Sequence, residues 1–198
     1  MRRLLIAVLA AATGLLYAGT ALAQEHEFVG AKKCRSCHVK EAIGDQYTRW
    51  EESKHAKAFQ TLATEQAKKW AAERGIADPQ TADECVKCHS TAHDVPDDLV
   101  SRKFDRQAGV QCEACHGPGK SYRKKKIMVD PELSLAKGLI PQDAKVCVTC
   151  HNDESPAWDP ERYTNGNGEK VGFNYDQAVK QIAHPVKEGY DPFAEDPE

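Results

Sequence analysis

Apolar side chains recur along this chain at helical spacing, in short bursts cut off by turn-forming residues, and strict alternation is scarce. Ala42, Ile43, Tyr47 and Trp50 fall on one side of a helix. His55, Phe59 and Leu62 share one face of a second, which the pattern caps at Ser53 and carries to about residue 74. Gly75 and then Asp78-Pro79 end it. A last helix opens at Asn174, sets Tyr175, Val179 and Ile182 along one side, and stops at Pro185. Residues 163–173 carry a hairpin signal at Asn167-Gly168, but the stretch reads as a loop. The predicted fold class is mainly α with extensive loops.

The first residues obey a different logic. Met1-Arg2-Arg3 is a short basic start, residues 4–12 are an apolar run, and Ala21 and Ala23 are the small residues preceding a cut after Ala23. This is the pattern of an export signal. The run is too short and too rich in Ala, Gly and Thr for a membrane anchor. The expected organisation is a cleaved signal peptide over 1–23 and one domain over 24–198, soluble and periplasmic. The whole chain has a formal net charge of −3, and losing Arg2 and Arg3 takes it to −5, which excludes general nucleic-acid binding. A domain of this length normally buries a good core. Here aromatic residues are 7% and methionines number two, so something other than side chains is expected to fill the interior.

The eight cysteines say what. They fall as Cys34-Arg-Ser-Cys37-His38, Cys85-Val-Lys-Cys88-His89, Cys112-Glu-Ala-Cys115-His116 and Cys147-Val-Thr-Cys150-His151, with none left over. Paired Cys-x-x-Cys units also suit zinc, and an even count in an exported chain also suits disulfides. Neither needs a histidine after every pair. Covalent c-type haem does: each thiol adds to a haem vinyl group, and the adjacent histidine is the proximal iron ligand. Four covalently bound haem c groups are therefore expected, with short helices packed around them. The motifs start at 34, 85, 112 and 147, at gaps of 51, 27 and 35, so no regular repeat underlies them.

Four histidines lie outside the motifs: His26, His55, His93 and His184. A lone histidine is ordinarily a surface or packing residue, but four low-spin irons would each want a second axial ligand. His55 leads the candidates, because it shares a helix face with Phe59 and Leu62 and has small Ala56 and Ala58 beside it. His184 follows, at the end of a helix and fixed by Pro185. His93 lies four residues after His89, so it cannot reach the far face of the same haem and serves only a neighbouring one. His26 sits three residues past the expected cleavage point, where a flexible terminus competes with a ligand role. Met128, in an expected loop after three lysines, is a weaker candidate. Lys120, Arg123, Lys124, Lys125 and Lys126 form a basic run that either offsets haem propionates, docks an acidic partner or is simply solvated; Glu188, Asp191, Glu195, Asp196 and Glu198 read as a solvated tail.

The stretches AKKCRSCH, SKHAKAF, GVQCEACHGPGKSYR and VCVTCHNDESPAW, followed by a late helix and a histidine, occur in an order that resembles the tetrahaem cytochrome c family of the cytochrome c-554 type. That family includes the electron acceptor of hydroxylamine oxidoreductase in ammonia-oxidising bacteria. The resemblance implies periplasmic electron transfer, haems in stacked pairs, His55 and His184 as distal ligands, and an open iron at the second haem. This chain departs from the pattern after the third motif, where residues 120–128 hold no histidine; His93 and His26 are the candidates to replace it. Gly117-Pro118-Gly119 is expected to let backbone pass close to a porphyrin.

The function expected is one-electron transfer between a redox protein donor and acceptor, with transient docking to a membrane-bound quinone-linked cytochrome as a further candidate. Two other readings stay in view: a redox enzyme acting on a small nitrogen species at a five-coordinate haem, and a subunit of a conductive haem filament. No constellation of proton donors points to the enzyme.

Overall fold

The computed structural model describes residues 26–191. The expected signal peptide, and Glu195, Asp196 and Glu198 of the acidic tail, lie outside the described residues. Ten short α-helices are present among the described residues, none longer than eight: α1 Ala31–His38, α2 Gln46–Glu52, α3 Ala58–Thr61, α4 Glu65–Ala72, α5 Asp83–His89, α6 Cys112–His116, α7 Lys125–Met128, α8 Pro131–Ala136, α9 Ala144–Val148 and α10 Tyr175–Ile182. The fold is mainly α with extensive loops, as the pattern predicts. α10 begins as expected, with the Asn174 side chain accepting from Gln177 N–H.

Several local expectations are corrected. The helix expected over 53–74 is two pieces, α3 and α4, because Thr64 ends one and caps the next: its hydroxyl accepts from Ala67 N–H and donates to Thr61 O. Ser53 instead follows α2, and its hydroxyl accepts from Ala56 N–H in a single turn. The helix after the first motif starts at Gln46, not Ala42, since Asp45 adopts a left-handed φ of 50°. The stretch read as a loop does form a small antiparallel hairpin: β1 (Tyr163–Thr164) pairs with β2 (Lys170–Val171). Asn165 holds it, accepting from Asn167 and Glu169 N–H. Met128 ends α7 rather than lying in a loop.

The protein's own apolar core is thin. Among the described residues the buried apolar side chains are Val29, Ala31, Tyr47, Phe59, Leu62, Ala71 and Tyr122, while Leu135 and Val186 stay exposed. Buried polar groups do much of the tying. Gln111 accepts from Ala31 N–H at 2.9 Å and donates to Asp105 O at 2.8 Å. Phe28 pairs with the 99–101 segment through two backbone bonds of 2.8 Å. The C-terminal segment crosses the start of α2, with Lys187 N–H donating to Ile43 O at 2.8 Å.

Candidate haem centre

Each Cys-x-x-Cys-His unit begins on a short helix, α1, α5, α6 or α9. One helical turn brings two cysteines three apart to the same side, with the histidine just after them. In the fourth unit α9 stops at Val148, but His151 N–H still donates to Cys147 O at 2.9 Å and keeps the turn. None of the eight cysteines is paired in a disulfide. Among the described residues no three His, Cys, Asp or Glu side chains gather as a metal-binding group, so the motifs do not combine into four-cysteine zinc sites.

Two histidine pairs face each other. The ring centres of His55 and His151 are 6.0 Å apart with planes at 63°, and those of His116 and His184 are 6.1 Å apart at 73°. A metal between two imidazoles needs about 2 Å for each metal–nitrogen bond and roughly 1 Å more from each nitrogen to its ring centre, about 6 Å in all. Both gaps fit an iron. Burial pulls the His116 imidazole down to about 4, with His184 and His38 adding to the effect. Burial and then His151 lower His55 likewise. Low proton affinity leaves a ring nitrogen lone pair free to bind metal.

The backbone around His55 is fixed by a close crossing. Val110 N–H donates to His55 O at 2.9 Å, and Gly109, at φ 74°, passes so near that a Cβ there would lie 2.5 Å from the same oxygen. The same short segment serves a second motif. His89 Nδ1 lies 2.7 Å from Ala58 O and 3.3 Å from the Thr61 hydroxyl. A carbonyl accepting from Nδ1 leaves Nε2 as the metal-binding nitrogen. Ile182 O does the same for His184 at 2.7 Å, and the Gln46 side-chain oxygen does so for His38 at 3.2 Å.

His26 and His93 are placed differently. His26 Nδ1 meets the Ser121 hydroxyl at 2.9 Å, and its ring lies over Gly138. His93 Nδ1 is 3.6 Å from Asp94. Among the described residues neither ring faces a motif histidine as His55 and His184 do, and no second imidazole faces His38 or His89.

The thiols reveal how the motifs adjoin. The Cys34 and Cys112 thiols adjoin, and their interaction drives Cys34 up and Cys112 down. Cys88 and Cys150 adjoin likewise, which pulls Cys150 down to about 6. Cys115 is pushed up to about 11, by burial first and then by Cys147 and Cys150. The thiols therefore neighbour one another first with third, third with fourth and fourth with second, and Lys87 of the second motif pairs with Glu154 just past the fourth.

Three features escape a reading of the sequence. Glu113, inside the third motif and 2% exposed, accepts from Val29, Gly30 and Gly119 N–H at 2.6–3.2 Å. Burial pushes its carboxyl up, against the downward pull of those three N–H groups. Gln46 joins the first motif to the C-terminal segment, donating to Pro185 O at 3.3 Å while it meets His38. The glycines after the third motif serve packing of protein on protein: a Cβ on Gly117 would lie 2.6 Å from Gly138 O, and one on Gly119 would lie 3.1 Å from Glu113.

The model of the family described as Cytochrome c554 and c-prime matches residues 33–117. The chain is 32% identical over 197 residues to a protein of Nitrosomonas europaea named Cytochrome c-554, covering 88% of this chain and 81% of that one. It is 30% identical over 103 residues to the Multiheme cytochrome MtrA of Shewanella baltica, covering 47% of this chain and 30% of that one. No solved structure matches the chain significantly.

Proposed function

We propose, for a chain that belongs to the cytochrome c554 family, that it binds four haem c groups and passes electrons one at a time between two redox proteins of the periplasm. That it is an electron-transfer cytochrome with covalently bound haem c follows from the family itself. Each haem, when bound, supplies an iron that alternates between the ferric and ferrous states. The chain supplies the rest. Cys34 and Cys37, Cys85 and Cys88, Cys112 and Cys115, and Cys147 and Cys150 are the attachment thiols. His38, His89, His116 and His151 are the proximal ligands, His55 is the distal partner of His151, and His184 that of His116.

The observation that carries this reading is the serial adjacency of the motif thiols, first with third, third with fourth and fourth with second, the last reinforced by the Lys87–Glu154 ion pair. It supports a linear relay whose two ends, at the first and second motifs, meet different partners. A membrane-bound quinone-linked cytochrome is a candidate for one of them; among the described residues no helix is long and apolar enough to cross a membrane. The mass of the mature protein tests the count: cleavage after Ala23 and four additions of about 616 Da each are expected, and fewer additions would overturn it.

One observation favours a second reading. His89, like His38, has no imidazole facing it among the described residues, and Ala58 O and Thr61 hold its Nδ1 side. An iron held there would keep an open position, suited to a small nitrogen species. A high-spin signal that cyanide or nitric oxide converts to low spin supports it; an all-low-spin protein indifferent to both rules it out.

A further inference from the structure

We propose that the basic surface formed beside the first motif by residues 28–40 and 120–126 is a docking surface for a redox protein with an acidic face. The inference rests on the electron-transfer reading above and adds the chemistry of the partner.

The charge is unevenly placed. Residues 28–40 and 120–126 together contain nine Lys or Arg and no Asp or Glu, in a chain whose net charge is −3. The two segments are held together. Lys120 N–H donates to Glu27 O at 3.2 Å, and its ammonium pairs with the Glu27 carboxylate at 3.0 Å. Buried Tyr122 is pinned on the third motif, its hydroxyl donating to His116 O at 3.0 Å and Gly117 O at 2.7 Å. The cations that follow it, Arg123, Lys124, Lys125 and Lys126, are exposed and make no ion pair among the described residues. Arg123 lies near enough to Cys34 and Glu113 to act on both. Lys32, Lys33 and Arg35 project from α1 itself and are exposed.

Around the second motif the charge is the reverse. Residues 78–98 hold six acids and a single Lys or Arg, Lys87, which is already paired with Glu154. Asp83 and Glu84 open α5 and are exposed, as are Asp98 and Asp97, the latter paired with Arg106 at 3.1 Å. A molecule whose charge is segregated in this way orients an approaching charged partner before contact, and like charge elsewhere suppresses misdocking.

The test is stopped-flow reduction of the haem-loaded, full-length mature protein by a reduced flavodoxin, an acidic one-electron donor. One electron leaves the flavin and one ferric iron of the chain becomes ferrous. Reversing Lys124→Glu, Lys125→Glu and Lys126→Glu together is expected to slow the second-order rate about tenfold at low ionic strength. The difference should vanish near 1 M salt, where the screening length is about 3 Å. The pair Asp83→Lys and Glu84→Lys should change the rate less than twofold. Equal and opposite effects per charge in the two variants would show that only net charge matters and would overturn the proposal, as would an unaltered rate in the lysine variant. Should the triple reversal not fold, Lys124→Gln with Lys125→Gln gives the same test at about threefold. Haem mass and spin state, measured on the same samples, separate this outcome from failure of the relay reading: a protein with four haems and a charge-blind rate sinks the docking surface alone.

Discussion

The imidazoles of His55 and His151 stand 6.0 Å apart, one from the turn after α2 and the other closing the fourth motif. If both bind one iron, His55→Ala removes one axial ligand and turns one low-spin iron high-spin. Electron paramagnetic resonance counts the two forms separately. The neighbouring exposed Lys54→Ala should leave the count as it was, and an unchanged spectrum in His55→Ala would remove His55 from the ligand set.

His184→Ala should have the same effect on a different iron, since its ring faces His116 at 6.1 Å. His26→Ala and His93→Ala should keep the low-spin count of the unaltered protein, because among the described residues neither ring faces a motif histidine. A low-spin signal lost in either variant would restore that residue as a ligand.

Phe173, just past β2, stacks on His151 with ring centres 5.4 Å apart and planes 14° from parallel. Tyr163 in turn packs edge-on against Phe173 at 6.2 Å. The hairpin thus holds the rotation of the His151 ring, and with it the 63° angle to His55. The anisotropy of a low-spin iron depends on that angle. Phe173→Leu should shift the g values of one low-spin signal while the haem content stays constant; identical g values would show that the ring is oriented by something else.

Glu113 satisfies three backbone N–H groups, two from the residues just before α1 and one from the turn after the third motif. Glu113→Ala leaves those donors buried without acceptors, so a loss of about 2–5 kcal/mol in unfolding free energy is expected. Exposed Glu84→Ala should cost under about 0.5 kcal/mol. Denaturant titration of the two variants makes the comparison, and similar midpoints would contradict the structural role.

The attachment residues are legible in the sequence because covalent chemistry demands fixed types at fixed spacing. His55 and His184 are legible as types in search of a role, and Asn174 as a cap. The partners of the histidines are not, since Ala58 O and Ile182 O are backbone atoms that any residue would present. Glu113 hides inside a motif whose intervening positions carry no constraint from haem attachment. Apolar spacing over-extends the helix over 53–74 because it runs on past Thr64, whose capping bonds depend on local backbone geometry. The hairpin escapes for a related reason: two residues per strand give no alternation to detect, and the Asn165 bonds that close it are local.

The motif contacts are interleaved, first with third and second with fourth. No single cut in the chain can therefore separate two intact halves: any break between the second and third motifs divides both pairs. A growing chain cannot complete either pair until its third motif has been made, and prematurely ended products have no smaller two-site carrier to fall back on.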